Sequence, residues 1–261
     1  MKSAFSRVAV VAVAASFASS AFAFDVTNNT LVGFQVATSG AHTLVEYDFA
    51  GNIVETLNVT GMADTGVGVA VIGTDVFVSD VRGNVSQVNL TTGAIFNSFT
   101  SFSSEGLGDD GTNLLALNYT TGFVERFTTG GSLLQTVPVA AGGTGIDGDA
   151  TGMWVGMYSN GTIVRYDNAG NVVTTVATGL SSSAVSALGW DATGGVLWVA
   201  TGFGDDRIRS YDVNGNLLAN FSANNPWING LDVVTDAVPE PATMTVLAVG
   251  GLLAARRRRR K

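Results

Sequence analysis

The chain has 261 residues, no cysteine and a formal net charge of −8, which excludes disulfide bonds, thiol catalysis and a cysteine-linked lipid anchor. Between residues 24 and 237 it has twenty acidic residues, five arginines and no lysine, a balance that excludes binding to nucleic acid or to an anionic membrane. The low share of charged residues, 13%, together with 33 glycines, is typical of short strands joined by tight turns.

The N-terminal segment has the three parts of a secretory signal peptide. It starts with the basic residues Lys2 and Arg7, continues with an apolar run too short to cross a bilayer, and ends on the small residues Ala21 and Ala23. A buried N-terminal helix would need neither the basic start nor the cleavage site. We therefore predict that this segment directs export through the Sec machinery and that the mature protein begins at Phe24.

One short phrase returns five times in the body of the chain. In each copy an aromatic or apolar residue precedes a turn rich in Asp, Asn, Thr and Gly. These anchor residues are spaced by 41, 39, 39 and 45 positions, at Tyr47, Val88, Phe127, Tyr166 and Tyr211. A period near 40 with an internal β-hairpin predicts propeller blades of four strands each.

Two further segments precede most copies of the phrase and complete a four-stranded blade. The nearer segment is apolar, as in 75–80, and the farther one, as in 66–72, is rich in the small residues that a crowded innermost strand requires. The first blade has no such innermost segment before it, but one occurs at 229–236. We therefore predict an all-β, five-bladed β-propeller over 24–237, closed by the segment 229–236 pairing beside 30–36.

The repeated phrase Tyr-Asp-x-x-Gly-Asn, found at 47–52, 166–171 and 211–216, resembles the blades of NHL-like and YncE-like bacterial β-propellers. The resemblance covers the body of the chain and implies its fold. It implies no chemistry, because the phrase describes a hairpin and one fold serves many functions.

No catalytic constellation can be assembled from the body. The single histidine, His42, has no nucleophile or metal-ligand partner at a recognisable spacing, and phosphate-binding and dinucleotide-binding motifs are absent. We therefore predict a non-enzymatic protein with no catalytic residues. The alternative is an extracytoplasmic propeller enzyme, lactonase-like or lyase-like, that acts on sugars.

Acidic pairs recur at 109–110, 147–149 and 205–206, beside glycines that favour tight turns. We interpret them as turn residues and predict no metal and no cofactor. A structural calcium ion is the alternative, since such turns supply some of the six to eight oxygens that calcium needs.

The predicted topology places one set of aromatic and polar side chains on a single face of the propeller, where loops between second and third strands meet the links between blades. Aromatic rings beside amide and charged groups suit a sugar ring and its hydroxyls. We interpret this set as a candidate ligand face for polysaccharide or another surface protein, the alternative being that any propeller exposes a few loop aromatics. Its members are His42, Arg82, Tyr119, Tyr158, Phe203 and Trp227.

The last 24 residues, 238–261, differ sharply from the body. Pro239, Glu240 and Pro241 precede an apolar stretch at 242–255, which is shorter than the roughly 20 residues that span a bilayer. Six basic residues follow and would resist crossing the membrane, so we predict that they halt the last segment there. They are Arg256, Arg257, Arg258, Arg259, Arg260 and Lys261.

This order of Pro-Glu-Pro, apolar segment and arginine cluster resembles the PEP-CTERM sorting signal of Gram-negative bacteria. The resemblance implies that a membrane exosortase recognises Pro239, Glu240 and Pro241, cleaves near them and releases the protein to the outer surface or matrix, often with exopolysaccharide. A stable anchor without cleavage is the alternative, because the apolar stretch is short. The sequence therefore predicts an exported, exosortase-sorted surface or matrix protein with a binding or scaffold role.

Overall fold

A computed structural model describes residues 23–27, 29–37, 40–102, 105–181, 185–202, 205–224 and 227–235. These residues form twenty β-strands in five antiparallel four-stranded sheets, and no helix occurs among them. Each sheet is one blade, and the blades lie around a common axis. The predicted five-bladed β-propeller is therefore confirmed.

The first blade joins the two ends of the body. Blade 1 contains β1 (Thr30–Val36), β2 (His42–Asp48), β3 (Ile53–Val59) and the last strand of the propeller, β20 (Ile228–Val234). Blade 2 contains β4 (Gly66–Ile72), β5 (Asp75–Asp80), β6 (Asn84–Val88) and β7 (Ile95–Thr100).

The other three blades each use four consecutive strands. Blade 3 contains β8 (Gly106–Asp109), β9 (Leu114–Asn118), β10 (Phe123–Phe127) and β11 (Leu133–Pro138). Blade 4 contains β12 (Gly143–Asp149), β13 (Gly152–Met157), β14 (Thr162–Asp167) and β15 (Val172–Ala177). Blade 5 contains β16 (Ala187–Asp191), β17 (Val196–Thr201), β18 (Arg207–Asp212) and β19 (Leu217–Ser222).

Strand β20 closes the ring as the sequence predicts. It pairs antiparallel with β1, from Thr30 opposite Val234 to Gln35 opposite Ile228, with one irregularity beside Phe34. The first and last strands of the propeller thus share one sheet, and the innermost strands contact one another in the cycle β20, β4, β8, β12, β16.

Small residues in the innermost strands allow this close approach. A Cβ on Gly68 would lie 2.3 Å from the main-chain nitrogen of Leu107 in the next blade, and a Cβ on Gly145 would lie 2.7 Å from that of Leu188. Neither position leaves room for a methyl group. The small-residue pattern therefore reflects backbone contact between neighbouring blades.

The core consists of apolar layers between the blades. Trp154 of blade 4 and Trp198 of blade 5 are both buried, as their matching positions in the repeat predict. The Trp154 ring centre lies 5.3 Å from that of Trp190, and Trp198 stacks at 5.1 Å on Phe49, which follows the third strand of blade 1. These contacts join blades 4, 5 and 1.

The outer hairpins turn where the repeated glycines lie. Gly51 has a φ angle of 90°, and Gly170 has one of 88°, a conformation that other residues adopt only with strain. In the same turn as Gly51, the Asp48 carboxylate accepts main-chain N–H bonds from Ala50 and Asn52 at 3.0 and 2.8 Å. The shared Asp and Gly positions of the phrase are thus those that the turn geometry requires.

The propeller has two faces, which we name for what lies there. The turn face is the end where β4, β8, β12, β16 and β20 finish and where the first-to-second and third-to-fourth turns lie. The linker face is the opposite end, where successive blades are connected. No described residue belongs to a helix long and apolar enough to cross a membrane.

Candidate functional site

Three aspartates meet at the axis near the turn face. Asp232 comes from blade 1, Asp109 from blade 3 and Asp147 from blade 4. All three are buried, and each offers a carboxylate oxygen within 4.8 Å of the others. We call this group the axial aspartates.

The innermost strand of each blade is an edge strand, so the main-chain groups on its side nearest the axis have no partner strand. The carboxylates of Asp147 and Asp232 bond to N–H groups of these strands. Asp147 accepts the N–H groups of Gly148 at 2.8 Å, of Asp109 at 3.2 Å and of Trp190. It therefore links blades 3, 4 and 5.

Asp232 does the same for the closing strand. It accepts the N–H groups of its neighbour Val233, at 2.6 Å, and of Val71 in blade 2. An unpaired buried N–H group would destabilise the fold, so these carboxylates stabilise the ring at its centre.

Burial and mutual proximity disfavour ionisation of the axial aspartates. Burial, followed by the charge of a neighbouring carboxylate, raises the pKa of Asp109, Asp147 and Asp232 well above the ordinary aspartate value. The proximity of the three carboxyl groups, within 4.8 Å of one another, therefore disfavours a negative charge on each of them.

Two further aspartates line the same cavity as the axial aspartates, and both form ion pairs. Asp110 lies 3.0 Å from Arg126, and Asp149 lies 2.7 Å from Arg165. Burial opposes ionisation of Asp149, but hydrogen bonds from Thr151 and Arg165 outweigh it and lower its pKa to about 2. The turn face therefore has a cavity of about 310 Å³ whose lining includes the axial aspartates and the ion-paired Asp110 and Asp149.

The interpretation of the acidic pairs as turn residues holds for only some of them. Asp110 accepts N–H bonds within its turn, and Asp109 accepts one from Gly111 at 2.6 Å, but Asp147 is a buried strand residue on the axis. In the third pair, Asp205 bonds to Arg209 at 2.8 Å and Asp206 accepts the Ser222 hydroxyl at 2.6 Å.

A second cavity, of about 490 Å³, opens at the linker face, and we call it the linker cavity. Its apolar lining includes Val36, Val67 and Val81, and the aromatic residues Tyr158 and Trp227 also line it. The first residues of the inner strands and the links before them supply its polar lining. These residues are Thr65, Glu105, Thr144, Ser186 and Asn229.

Several of the polar groups in the linker cavity are fixed by the main chain. The Asn229 amide donates to the carbonyl of Gly66 at 3.0 Å, and the Ser186 hydroxyl donates to that of Ile228 at 2.7 Å. Glu105 is the one ionisable acid among the described residues that line this cavity, and burial raises its pKa.

The structure brings together part of the predicted ligand face. Tyr158 and Trp227 line the linker cavity, and the ring of Tyr119 lies edge-on to that of Tyr158 at 6.4 Å. Arg82 lies apart from the cavity lining and pairs with Asp64 at 2.7 Å.

His42 also lies apart from the linker cavity. Its ring stacks on Phe34, and its Nε2 atom accepts the N–H of Gly66 at 3.0 Å, so the imidazole is neutral. Burial, only partly offset by the charge of Asp80, lowers its pKa. This histidine therefore stabilises the start of β4.

Other predicted residues lie outside the described part of the chain. They are Phe203 of the ligand face, Ala21 of the cleavage site, and the tail residues Pro239, Glu240, Pro241 and 256–261. Ala23 is described and is exposed, immediately before the buried Phe24. No sequence pattern marks Glu105 and Asn229, because each is a single polar residue at the start of a strand.

Comparison with known structures supports the fold alone. A chain in the crystal structure of a nidogen–laminin complex matches with a TM-score of 0.54 and 12% identity, over 80% of this chain and 99% of that one. A protein of unknown function from Bacteroides caccae gives 0.53 and 12%, over 80% and 100%. The glutaminyl cyclase of Myxococcus xanthus gives 0.50 and 16%, over 71% and 74%.

Sequence comparison identifies the tail. No curated protein matches the chain significantly. The family model for the PEP-CTERM protein-sorting motif matches residues 237–260, which begin three positions after the end of the closing strand. The chain therefore contains a five-bladed β-propeller followed by a PEP-CTERM protein-sorting motif, which implies export and recognition by an exosortase.

Proposed function

We propose that this protein is a non-enzymatic component of the cell surface or extracellular matrix that binds polysaccharide in the linker cavity. The observation that supports this most directly is the lining of that cavity: two aromatic rings, an apolar wall and several fixed polar groups. Apolar ring faces suit the C–H face of a sugar, and hydroxyl and amide groups suit its hydroxyls.

The same lining favours binding over glycoside cleavage. Hydrolysis of a glycosidic bond uses two carboxyl groups on opposite sides of the bond, about 5 to 9.5 Å apart. Among the described residues of the linker cavity, Glu105 is the one carboxyl group. The axial aspartates lie near the opposite face, and the carboxylates of Asp147 and Asp232 bond to main-chain N–H groups.

The route to the surface follows from the two ends of the chain. The N-terminal segment directs export, and the tail is held in the inner membrane of a Gram-negative bacterium until an exosortase recognises Pro239, Glu240 and Pro241. Cleavage then releases the propeller to the outer surface, where exopolysaccharide is the available ligand.

Affinity electrophoresis in gels containing the exopolysaccharide of the producing cells tests the binding proposal. We expect the polysaccharide to retard the intact protein, and Trp227→Ala and Tyr158→Ala to lose most of that retardation. Phe96→Ala is a matched control, because Phe96 is an exposed aromatic residue on an outer strand. Equal retardation of all four proteins would contradict the proposal, and breakdown of the polysaccharide would favour the sugar-directed enzyme instead.

Cell fractionation tests the sorting route separately. We expect the intact chain to be released at a smaller mature size, and a chain that lacks residues 239–261 to be distributed differently. Equal secretion of both forms at the same size would contradict sorting by the tail while leaving the binding result unaffected.

A further inference from the structure

Every outer strand begins with two adjacent apolar residues. Apart from Ile95, which is half-buried, these side chains are 41–63% exposed. The five pairs, which we call the apolar rim, are Ile53–Val54, Ile95–Phe96, Leu133–Leu134, Val172–Val173 and Leu217–Leu218.

The apolar rim contributes little to the propeller core. Successive residues of a strand point to opposite sides, so a strand covered on one side would normally have one apolar and one polar residue at these positions. The fourth strand is the outermost in each blade, and both of its first two side chains contact solvent. Single exposed apolar residues are ordinary on a protein surface, but an exposed apolar pair repeated in every blade indicates an interaction surface.

Antiparallel pairing places the whole rim at the turn face. Inner strands finish at that face, so second strands begin there, third strands end there and fourth strands begin there again. Each pair therefore lies at the outer edge of the turn face, around the central cavity and opposite the linker cavity.

The sorting tail leaves the propeller at the centre of the same face. Thr235 follows β20 and lines the turn-face cavity. Seven residue steps separate Thr235 from Ala242, where the apolar stretch of the tail begins. Even fully extended, they span at most about 25 Å. A tail held in a membrane therefore keeps the turn face close to the lipid surface.

The charges near the apolar rim determine whether an anionic or an uncharged lipid surface can bind there. The turn aspartates Asp48, Asp167 and Asp212 are half-buried and bond to N–H groups of their own turns. They and the rest of the body would repel anionic lipids, since residues 24–237 carry twenty acidic residues against five arginines and no lysine. An attraction at this face must therefore come from the apolar side chains.

We propose that, in the membrane-held precursor, the turn face lies against the bilayer and its apolar rim contacts the lipid surface. This proposal depends on the membrane-held intermediate of the proposed function. It also gives the precursor an orientation: the linker cavity faces away from the membrane, so the protein can bind polysaccharide before its tail is cleaved.

The absence of cysteine allows a direct test with single labels on the full chain. Ala169→Cys places a fluorophore in an exposed turn at the turn face, and Thr121→Cys places one in an exposed turn at the linker face. Each labelled chain is reconstituted in phosphatidylcholine vesicles that contain a headgroup-linked quencher. We expect stronger quenching at position 169 than at 121, and a smaller difference when anionic lipid is added.

A rim variant separates contact from simple tethering. Replacing Val172, Val173, Leu217 and Leu218 with threonine should reduce the quenching at position 169, whereas the control Phe102→Thr, at an exposed linker residue, should not. Equal quenching at positions 169 and 121, or no effect of the rim variant, would overturn the proposal. Either result would favour a protein as the partner of the apolar rim. Failure of the chain to associate with vesicles would overturn the membrane-held intermediate itself.

Discussion

The main-chain N–H of Asp109 donates to the carboxylate of Asp147 at 3.2 Å, and this bond joins the inner strands of blades 3 and 4 at the propeller axis. Asp147 also accepts N–H groups from Gly148 and from Trp190 of blade 5. One buried side chain thus holds three consecutive innermost strands together, two of them from neighbouring blades.

Replacement of Asp147 by alanine should destabilise the whole ring. It would leave buried N–H groups without an acceptor, and we expect the free energy of unfolding to fall by at least about 2 kcal/mol. Urea denaturation measures this change. Asp75→Ala is the control, because Asp75 is exposed and should change stability by less than about 0.5 kcal/mol. Equal losses in the two variants would contradict the role assigned to Asp147.

The axial aspartates should make stability decrease as the pH rises. Their pKa values are raised in the folded state, so the folded protein binds more protons than the unfolded chain above about pH 4. The stability due to those protons is present at low pH and is lost as the pH rises through the raised pKa values. Urea denaturation at a series of pH values from 5 to 9 should show this fall.

Asp109→Asn provides the matched test of that pH dependence. The amide keeps the size of the side chain and removes one negative charge, so the decrease in stability at high pH should become smaller. An unchanged pH profile in this variant would show that the axial aspartates do not cause it.

Chelation should leave the protein unchanged. The carboxylate oxygens of Asp147 and Asp232 already accept five main-chain N–H bonds, so we expect no structural calcium ion there. The melting temperature should be the same with and without EDTA. A lower melting temperature in EDTA that calcium restores, but that Asp109→Asn does not show, would establish a metal site.

A methyl group between the inner strands should be poorly tolerated. At Gly68 a Cβ would lie 2.3 Å from the nitrogen of Leu107, so Gly68→Ala must displace the backbone of blade 3 and should cost more than about 2 kcal/mol. Gly130→Ala is the control, because its nearest neighbouring atom would be 3.8 Å away. Thermal unfolding compares the two, and similar melting temperatures would contradict this view of the axis.

The sequence was sufficient to predict the blades because their pattern is local and repeated. The phrase that begins at Tyr47 occurs in three blades nearly unchanged. The displaced inner segment at 229–236 predicts the closing strand directly. The axial aspartates could not be found in this way, because Asp109, Asp147 and Asp232 lie far apart in the chain and meet only when the ring closes.

Only part of the candidate ligand site could be predicted from the repeat. Topology alone assigns Tyr158 and Trp227 to one face, whereas the inward position of Glu105 depends on where β8 begins. The sequence also does not distinguish Asp109 from Asp110: a shift of one residue moves a side chain from one side of a strand to the other.

Closure by β20 also sets the order of events during export. On the proposed export route the chain crosses the membrane from its N-terminus, so the strand that completes the first blade is the last part of the propeller to emerge. Until then the five blades can form only an open arc, with the β1 edge unpaired and the axial aspartates incomplete. On that route, the proposed exosortase would meet a chain whose ring has only just become able to close.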